Sequence, residues 1–134
     1  MNVDRTEYCT EHTVLVVDDE FLARLMIAEA LNSAGYRIVE AATGERAVTV
    51  LHTQPNISAV VTDLRMPGRI DGAALAHAVR SEFSPLKIVM VSGQVPDDDV
   101  RNVLDGHFLK PLNCERMAAL LDTLMPSTSP PAAQ

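Results

Sequence analysis

The chain has no tryptophan, and aromatic residues make up only 4% of its 134 positions. Stacked rings cannot build its core, so Val, Leu, Ile, Ala and Met must. Cysteine is scarce too: Cys9 and Cys114 stand far apart, with no metal-ligand spacing. We read both as incidental and the chain as fitting a reducing compartment. No apolar run approaches the ~20 residues of a membrane span, and no signal-peptide apolar stretch opens the chain. The expectation is a cytoplasmic protein with no membrane partner. Basic residues are also few, 11 Lys and Arg against 18 Asp and Glu, for a formal net charge of −7. That balance argues against a nucleic-acid partner, which calls for a basic face.

What is present is an alternation. Short apolar runs at Thr13–Val17, Arg37–Ala41, Ala59–Thr62, Leu86–Val91 and His107–Leu109 read as strands. Between and after them, Glu20–Ala34, Gly44–His52, Gly72–Phe83, Asp97–Leu104 and Cys114–Leu124 read as helices. The last shows the clearest stripe, Met117, Leu120, Leu121 and Leu124 at i, i+3, i+4 and i+7. Thr43 and Asn113 suit N-caps, and Gly35 suits a C-terminal stop. Five strands alternating with five helices predict an α/β doubly wound parallel sheet. One domain is expected over 13–125. A flexible start over 1–12 and a disordered Pro/Ser/Ala-rich tail over 126–134 should flank it.

Ligands of such sheets bind beyond the carboxyl ends of the strands. "TVLVVDDEF" is a buried-type strand running into Asp18 and Asp19, "AVVTD" ends on Asp63, "IVMVSG" reaches Ser92, and the last strand leads to Lys110 and Pro111. Three carboxylates on one rim repel by ~4 kcal/mol per pair at an effective dielectric near 20. Such a cluster protonates a member or binds a cation. All-oxygen donors without His or Cys favour a hard cation, and Mg²⁺ suits one or two carboxylates plus a phosphate oxygen. A lysine ammonium and a serine hydroxyl suit phosphoryl oxygens. Aspartate can itself accept a phosphoryl group as an acyl phosphate. Asp63, alone on a central strand, is the better acceptor, and the Asp18–Asp19 pair the better metal ligand.

The ordered set "VVDDE", "VVTDLRMPGRIDG", "IVMVSG" and "FLKP" resembles the receiver domain of bacterial two-component response regulators, the CheY-like fold, across about residues 13–125. That resemblance implies a (βα)₅ flavodoxin-like sheet in strand order 2-1-3-4-5. It implies that Asp63 takes a phosphoryl group from a histidine kinase or histidine phosphotransfer protein, that Asp18, Asp19, Asp63 and the Arg65 backbone carbonyl hold Mg²⁺, and that Ser92 and Lys110 contact the phosphoryl group. The resemblance further implies that Pro111 follows a cis peptide bond and that Arg65 and Gln94 occupy positions that tune phosphoryl lifetime. The implied role is a stand-alone signalling protein acting on an unknown downstream protein, a monomer or weak homodimer. Apart from phosphorylation and slow dephosphorylation at Asp63, it is no enzyme. The alternatives weighed are a phosphorylation-independent binding module, an aspartyl-phosphate phosphatase, and a nucleotide or flavin binder. The phosphatase lacks a second Asp two residues on, where Arg65 stands, and no phosphate-binding glycine motif supports the nucleotide reading.

Three departures stand out. "DLRMPGRIDG" has one extra residue, read as a slightly enlarged loop at Gly68-Arg69. Ser92 and Lys110 are only 18 positions apart, which predicts a shortened fourth helix of about two turns with Pro96 at its first position. The resemblance places an inward-swinging aromatic three residues before the lysine, where this chain has His107, followed by Phe108. The alternatives are His107 as switch residue, Phe108 serving through a bulge, or no such coupling. The favoured expectation is His107 pointing outward at the sheet edge. In the first helix, Phe21, Leu22, Leu25, Met26, Ile27 and Leu31 leave little polar face. They imply either unusually wide burial or an exposed patch that docks the phosphodonor. His12, His52 and His77 are expected at the surface or on helix flanks.

Overall fold

A computed structural model describes residues 12–126. The expected flexible start and tail lie outside the described residues, apart from His12 and Pro126. The strands are β1 (Thr13–Val17), β2 (Arg37–Ala41), β3 (Ile57–Thr62), β4 (Lys87–Ser92) and β5 (Gly106–Leu109). The helices are α1 (Phe21–Ser33), α2 (Gly44–Thr53), α3 (Gly72–Glu82), α4 (Asp98–Arg101) and α5 (Cys114–Leu124). All strand pairs are parallel, in the order β2-β1-β3-β4-β5. The expected flavodoxin-like α/β architecture is therefore observed.

Residue parity within the strands divides the core into two layers. Leu15, Val17, Val60 and Ile88 face α2 and α3 and meet Val50, Leu51, Leu75 and Val79. Val14, Val16, Val61, Val89 and Val91 face α1 and α5 and meet Ile27, Leu31, Met117 and Leu121. β1 is buried at every position. A truncation such as Leu15→Ala, at a fully buried side chain, should cost roughly 2–5 kcal/mol. This rigid centre carries the strand ends on which the polar residues sit.

Helix ends follow side-chain chemistry. Thr43 and Asn113 accept from Arg46 N and Arg116 N as expected, and Asp71 caps α3 by accepting from Ala74 N. Gly35, at φ 104°, stops α1.

Helix α4 is shorter than predicted, a single turn of four residues. Its first position is Asp98, not the expected Pro96, and Asp97 is its N-cap. Helical continuation fails because the groups that follow are held elsewhere. Both Nε and Nη2 of Arg80 donate to the Val103 carbonyl, at 3.2 and 2.8 Å. Asp105 Oδ2 accepts from Arg80 Nη2 and from Ile88 N, and Asp105 N donates back to Ile88 O. Past Arg101 the chain tightens into i→i+3 bonds, Val103 N to Val100 O and Leu104 N to Arg101 O, and Asp105 then ties it to the start of β4. The enlarged loop is also fixed: Gly68 adopts φ 99°, and Arg69 N donates to Glu45 Oε2 on α2 at 2.7 Å.

Candidate functional site

Inter-strand pairing continues past the strands and aligns the site residues. Asp18 N donates to Ala41 O, Asp63 N to Val17 O, and Lys110 N to Ser92 O, at 3.2, 3.0 and 2.8 Å. The carboxylates of Asp18, Asp19 and Asp63 each place an oxygen within 4.8 Å of the others. Lys110 Nζ reaches between two of them, 3.4 Å from Asp63 Oδ2 and 3.8 Å from Asp18 Oδ2. Asp63 Oδ1 accepts from Leu64 N at 2.7 Å. Its Oδ2 is therefore the oxygen turned towards the ammonium.

Asp18 is only 1% exposed. Its Oδ1 accepts from Glu20 N at 2.9 Å. Burial pushes its carboxyl above the usual range, and the neighbouring Asp63 and Asp19 push the same way; the Glu20 amide and Lys110 oppose them. Among the described residues, these three crowded carboxylates share one ammonium, that of Lys110, and keep a negative surplus of hard oxygen donors. That donor set fits a small divalent cation such as Mg²⁺.

The remaining expected residues fall as follows. The Lys110–Pro111 peptide is cis as anticipated; Ser84–Pro85 is also cis, which was not. Arg65 and Gln94 are exposed and line a common cavity of about 210 Å³ between the loops after β3 and β4. Ser92 is buried, and its hydroxyl is engaged away from the carboxylates: Oγ donates to the Gln94 carbonyl and lies 2.9 Å from His107 Nε2.

His107 corrects the sequence reading. It does not point outward, because β5 keeps a regular register against β4, pairing Met90 with His107 and Val91 with Phe108. Phe108 packs into the α1/α5 layer, so strand parity turns His107 to the opposite face, against Ser92. No bulge brings Phe108 into its place. Burial lowers the imidazole pKa from 6.5, with the Arg101 guanidinium acting the same way and the Gln94 carbonyl opposing.

The other histidines meet expectation in part. His52 is exposed and meets the Phe83 ring edge-on at 5.0 Å, while His77 Nε2 lies 3.1 Å from Asp99 Oδ2. His12 is half-buried, with Nδ1 3.3 Å from Ser58 Oγ. On α1 the wide burial is not observed: Phe21, Leu22 and Met26 are exposed by 59, 67 and 61%.

Sequence reasoning missed three supporting residues. Arg24 Nη1 donates to the Asp18 carbonyl, and its guanidinium lies 5.6 Å from the centre of the Phe21 ring. Thr62 Oγ1 donates to the Asp63 carbonyl at 2.9 Å. Gly72 lies against the Asp63 backbone so closely that a Cβ there would stand 1.9 Å from the carbonyl oxygen. The Asp71-Gly72 pair was visible in the motif, but the close approach was not.

A five-stranded parallel sheet of order 2-1-3-4-5 with an acidic triad and a lysine at its carboxyl edge defines a receiver-type signalling domain. The family of response regulator receiver domains matches residues 14–122, and the chain belongs to it. The probable transcriptional regulator ycf27 of Cyanophora paradoxa is 34% identical over 88% of the chain, and the chain spans 50% of that relative's length. A response regulator receiver protein from Pseudomonas putida superposes with a TM-score of 0.76 at 34% identity, covering 83% of this chain and 95% of that one. The response regulator TrrA from Thermotoga maritima, solved with Mg²⁺ and BeF, gives 0.79 at 28% identity over 85% and 99% of the two chains. Among the described residues no helix is long and apolar enough to cross a membrane.

Proposed function

We propose that Asp63 accepts a phosphoryl group from a phosphohistidine of a histidine kinase or histidine phosphotransfer protein, in a Mg²⁺-dependent reaction, and that phosphorylation changes which proteins the domain binds. The observation that carries this reading is the division of labour at Asp63: Oδ1 is held by Leu64 N while Oδ2 faces Lys110 at 3.4 Å. Oδ2 attacks phosphorus, the new O–P bond forms an acyl phosphate, and the N–P bond electrons leave with the donor's imidazole. Lys110 stands ready to pair with a phosphoryl oxygen. Asp18, Asp19, Asp63 and the Arg65 carbonyl would hold Mg²⁺, which supplies charge neutralisation at the phosphoryl oxygens. Arg65 and Gln94, which line the cavity beside the site, govern water access and so the lifetime of the acyl phosphate in this reading.

The donor docks on the exposed patch of α1. Leu22 and Met26 stand on it, and Met26 also borders an apolar cavity of about 200 Å³ that runs to Pro111 and Leu112. A helical donor could lay an apolar face there and bring its phosphohistidine over Asp63. Beyond its own phosphorylation and dephosphorylation the domain is no enzyme, and it acts through an unidentified downstream protein as a monomer or weak homodimer.

The test is incubation with acetyl phosphate and Mg²⁺, followed by intact mass. One added phosphoryl group that hydroxylamine removes, and that Asp63→Asn abolishes, is the expected result. No incorporation at any Mg²⁺ concentration overturns the reading in favour of a phosphorylation-independent binding module.

A further inference from the structure

The contact between Ser92 and His107 has a proton count that can be settled. Ser92 has one hydroxyl proton, and its Oγ lies in hydrogen-bond contact with the Gln94 carbonyl, an oxygen that can only accept. That proton is committed to Gln94. His107 Nε2, 2.9 Å from the same Oγ, must then be the donor in its own contact. The Gln94 carbonyl also faces the imidazole, which again favours a ring nitrogen bearing hydrogen. The backbone of both partners is fixed, since Ser92 O accepts from Lys110 N at the end of the β4–β5 pairing.

Resting on the proposed phosphorylation of Asp63, we propose that His107 is a positioning residue: in its Nε2–H form it latches the Ser92 hydroxyl onto the Gln94 carbonyl and away from Asp63. For Ser92 to serve a phosphoryl oxygen, Oγ must leave both partners. The free energy needed to release the latch therefore opposes phosphorylation, and removing His107 lowers that cost. A phenylalanine at this position would fill the space without donating, so the effect belongs to the N–H and not to ring size. Glutamine can place an amide N–H where Nε2 stands, whereas asparagine offers its amide nearer the Nδ1 position.

The test uses the full chain labelled with ¹⁵N, without phosphodonor, at neutral pH. Long-range ¹H–¹⁵N correlation should show His107 protonated at Nε2 and bare at Nδ1, with both signals moving in Ser92→Ala. A ring protonated at Nδ1, or one insensitive to Ser92→Ala, overturns the latch. Phosphoryl uptake from acetyl phosphate and Mg²⁺ gives the second readout. Roughly fivefold faster uptake is expected for His107→Phe and His107→Asn, with His107→Gln returning to the wild-type rate. Unchanged or slower uptake in His107→Phe overturns the latch. If the wild-type chain takes up no phosphoryl group, the reading of Asp63 fails by itself, and the nitrogen spectra still decide His107.

Discussion

Arg24 joins the acidic site to the helix beside it: Nη1 donates to the backbone carbonyl of Asp18 at 2.8 Å while Nε pairs with Glu40 Oε1 at 2.9 Å. The guanidinium therefore fixes the turn by which β1 delivers its carboxylates and ties that turn to β2. Arg24→Ala leaves a part-buried carbonyl without its donor, and destabilisation of about 1–3 kcal/mol is expected. Mg²⁺ affinity by calorimetry should fall as well. Arg24→Lys should recover less than half of either loss, because a single ammonium cannot reproduce the two-nitrogen fork. Unchanged affinity in Arg24→Ala would remove Arg24 from the site.

Asp18 illustrates a conflict between stability and function. Its buried charge faces two like charges, so Asp18→Asn should raise the metal-free melting temperature by roughly 2–6 °C. The same substitution should abolish the protection that Mg²⁺ gives the wild-type chain, about 2.7 kcal/mol at a hundredfold excess over Kd. Parallel thermal melts with and without Mg²⁺ check both halves; a metal-free variant melting below wild type would contradict the first.

Two glycines beside the site should respond oppositely to the same change. Gly72→Ala drives a methyl into the Asp63 carbonyl, whereas a Cβ at Gly93 meets nothing within 4 Å. We expect Gly72→Ala to cost about 3 kcal/mol or more and to impair phosphoryl uptake, and Gly93→Ala to stay within about 0.5 kcal/mol of wild type. Urea denaturation of the pair separates backbone crowding from a general intolerance of the site.

Acid should weaken the fold through His107. Its folded pKa lies below 6.5 because burial, and then Arg101, disfavour the imidazolium, with the Gln94 carbonyl opposing. Between 6.5 and that lowered value the unfolded chain binds a proton that the folded chain refuses, so stability falls as pH drops through this window. Between about pH 7.5 and about pH 5.5 the wild-type chain should lose more stability than His107→Gln, as read from urea midpoints. Equal losses would mean that His107 contributes nothing to the acid response.

The exposed patch gives a test of donor docking. Leu22→Glu should slow transfer from a phosphorylated histidine phosphotransfer domain at least about tenfold and leave acetyl phosphate uptake unchanged. A fall in both rates would instead point to damage at Asp63.

The fold and the acidic site were legible in the sequence because both are short-range patterns. Short continuous apolar runs, Thr43 and Asn113 as caps, and carboxylates directly after strands need only local spacing. What escaped depends on contacts distant in the chain. The length of α4 is decided by Arg80 and Asp105, 25 residues apart. The direction of His107 follows from β5 register, and its parity relative to Phe108 was readable even though the partner waiting at Ser92 was not. The exposure of α1 could not be read either, since an apolar helix face looks the same in sequence whether or not another element covers it.

The four-residue α4 has a consequence for how this part of the molecule tolerates change. A longer helix holds an edge strand through many weak contacts, and the loss of one is absorbed by the rest. Here one guanidinium and one carboxylate supply the polar ties, beside the apolar contacts of Val100, Val103 and Leu104. The segment from Asp97 to Leu109 should thus be brittle, indifferent to most surface substitutions and intolerant of change at Arg80 or Asp105. Drift among homologues sharing the short helix should be wide around two points that move only together.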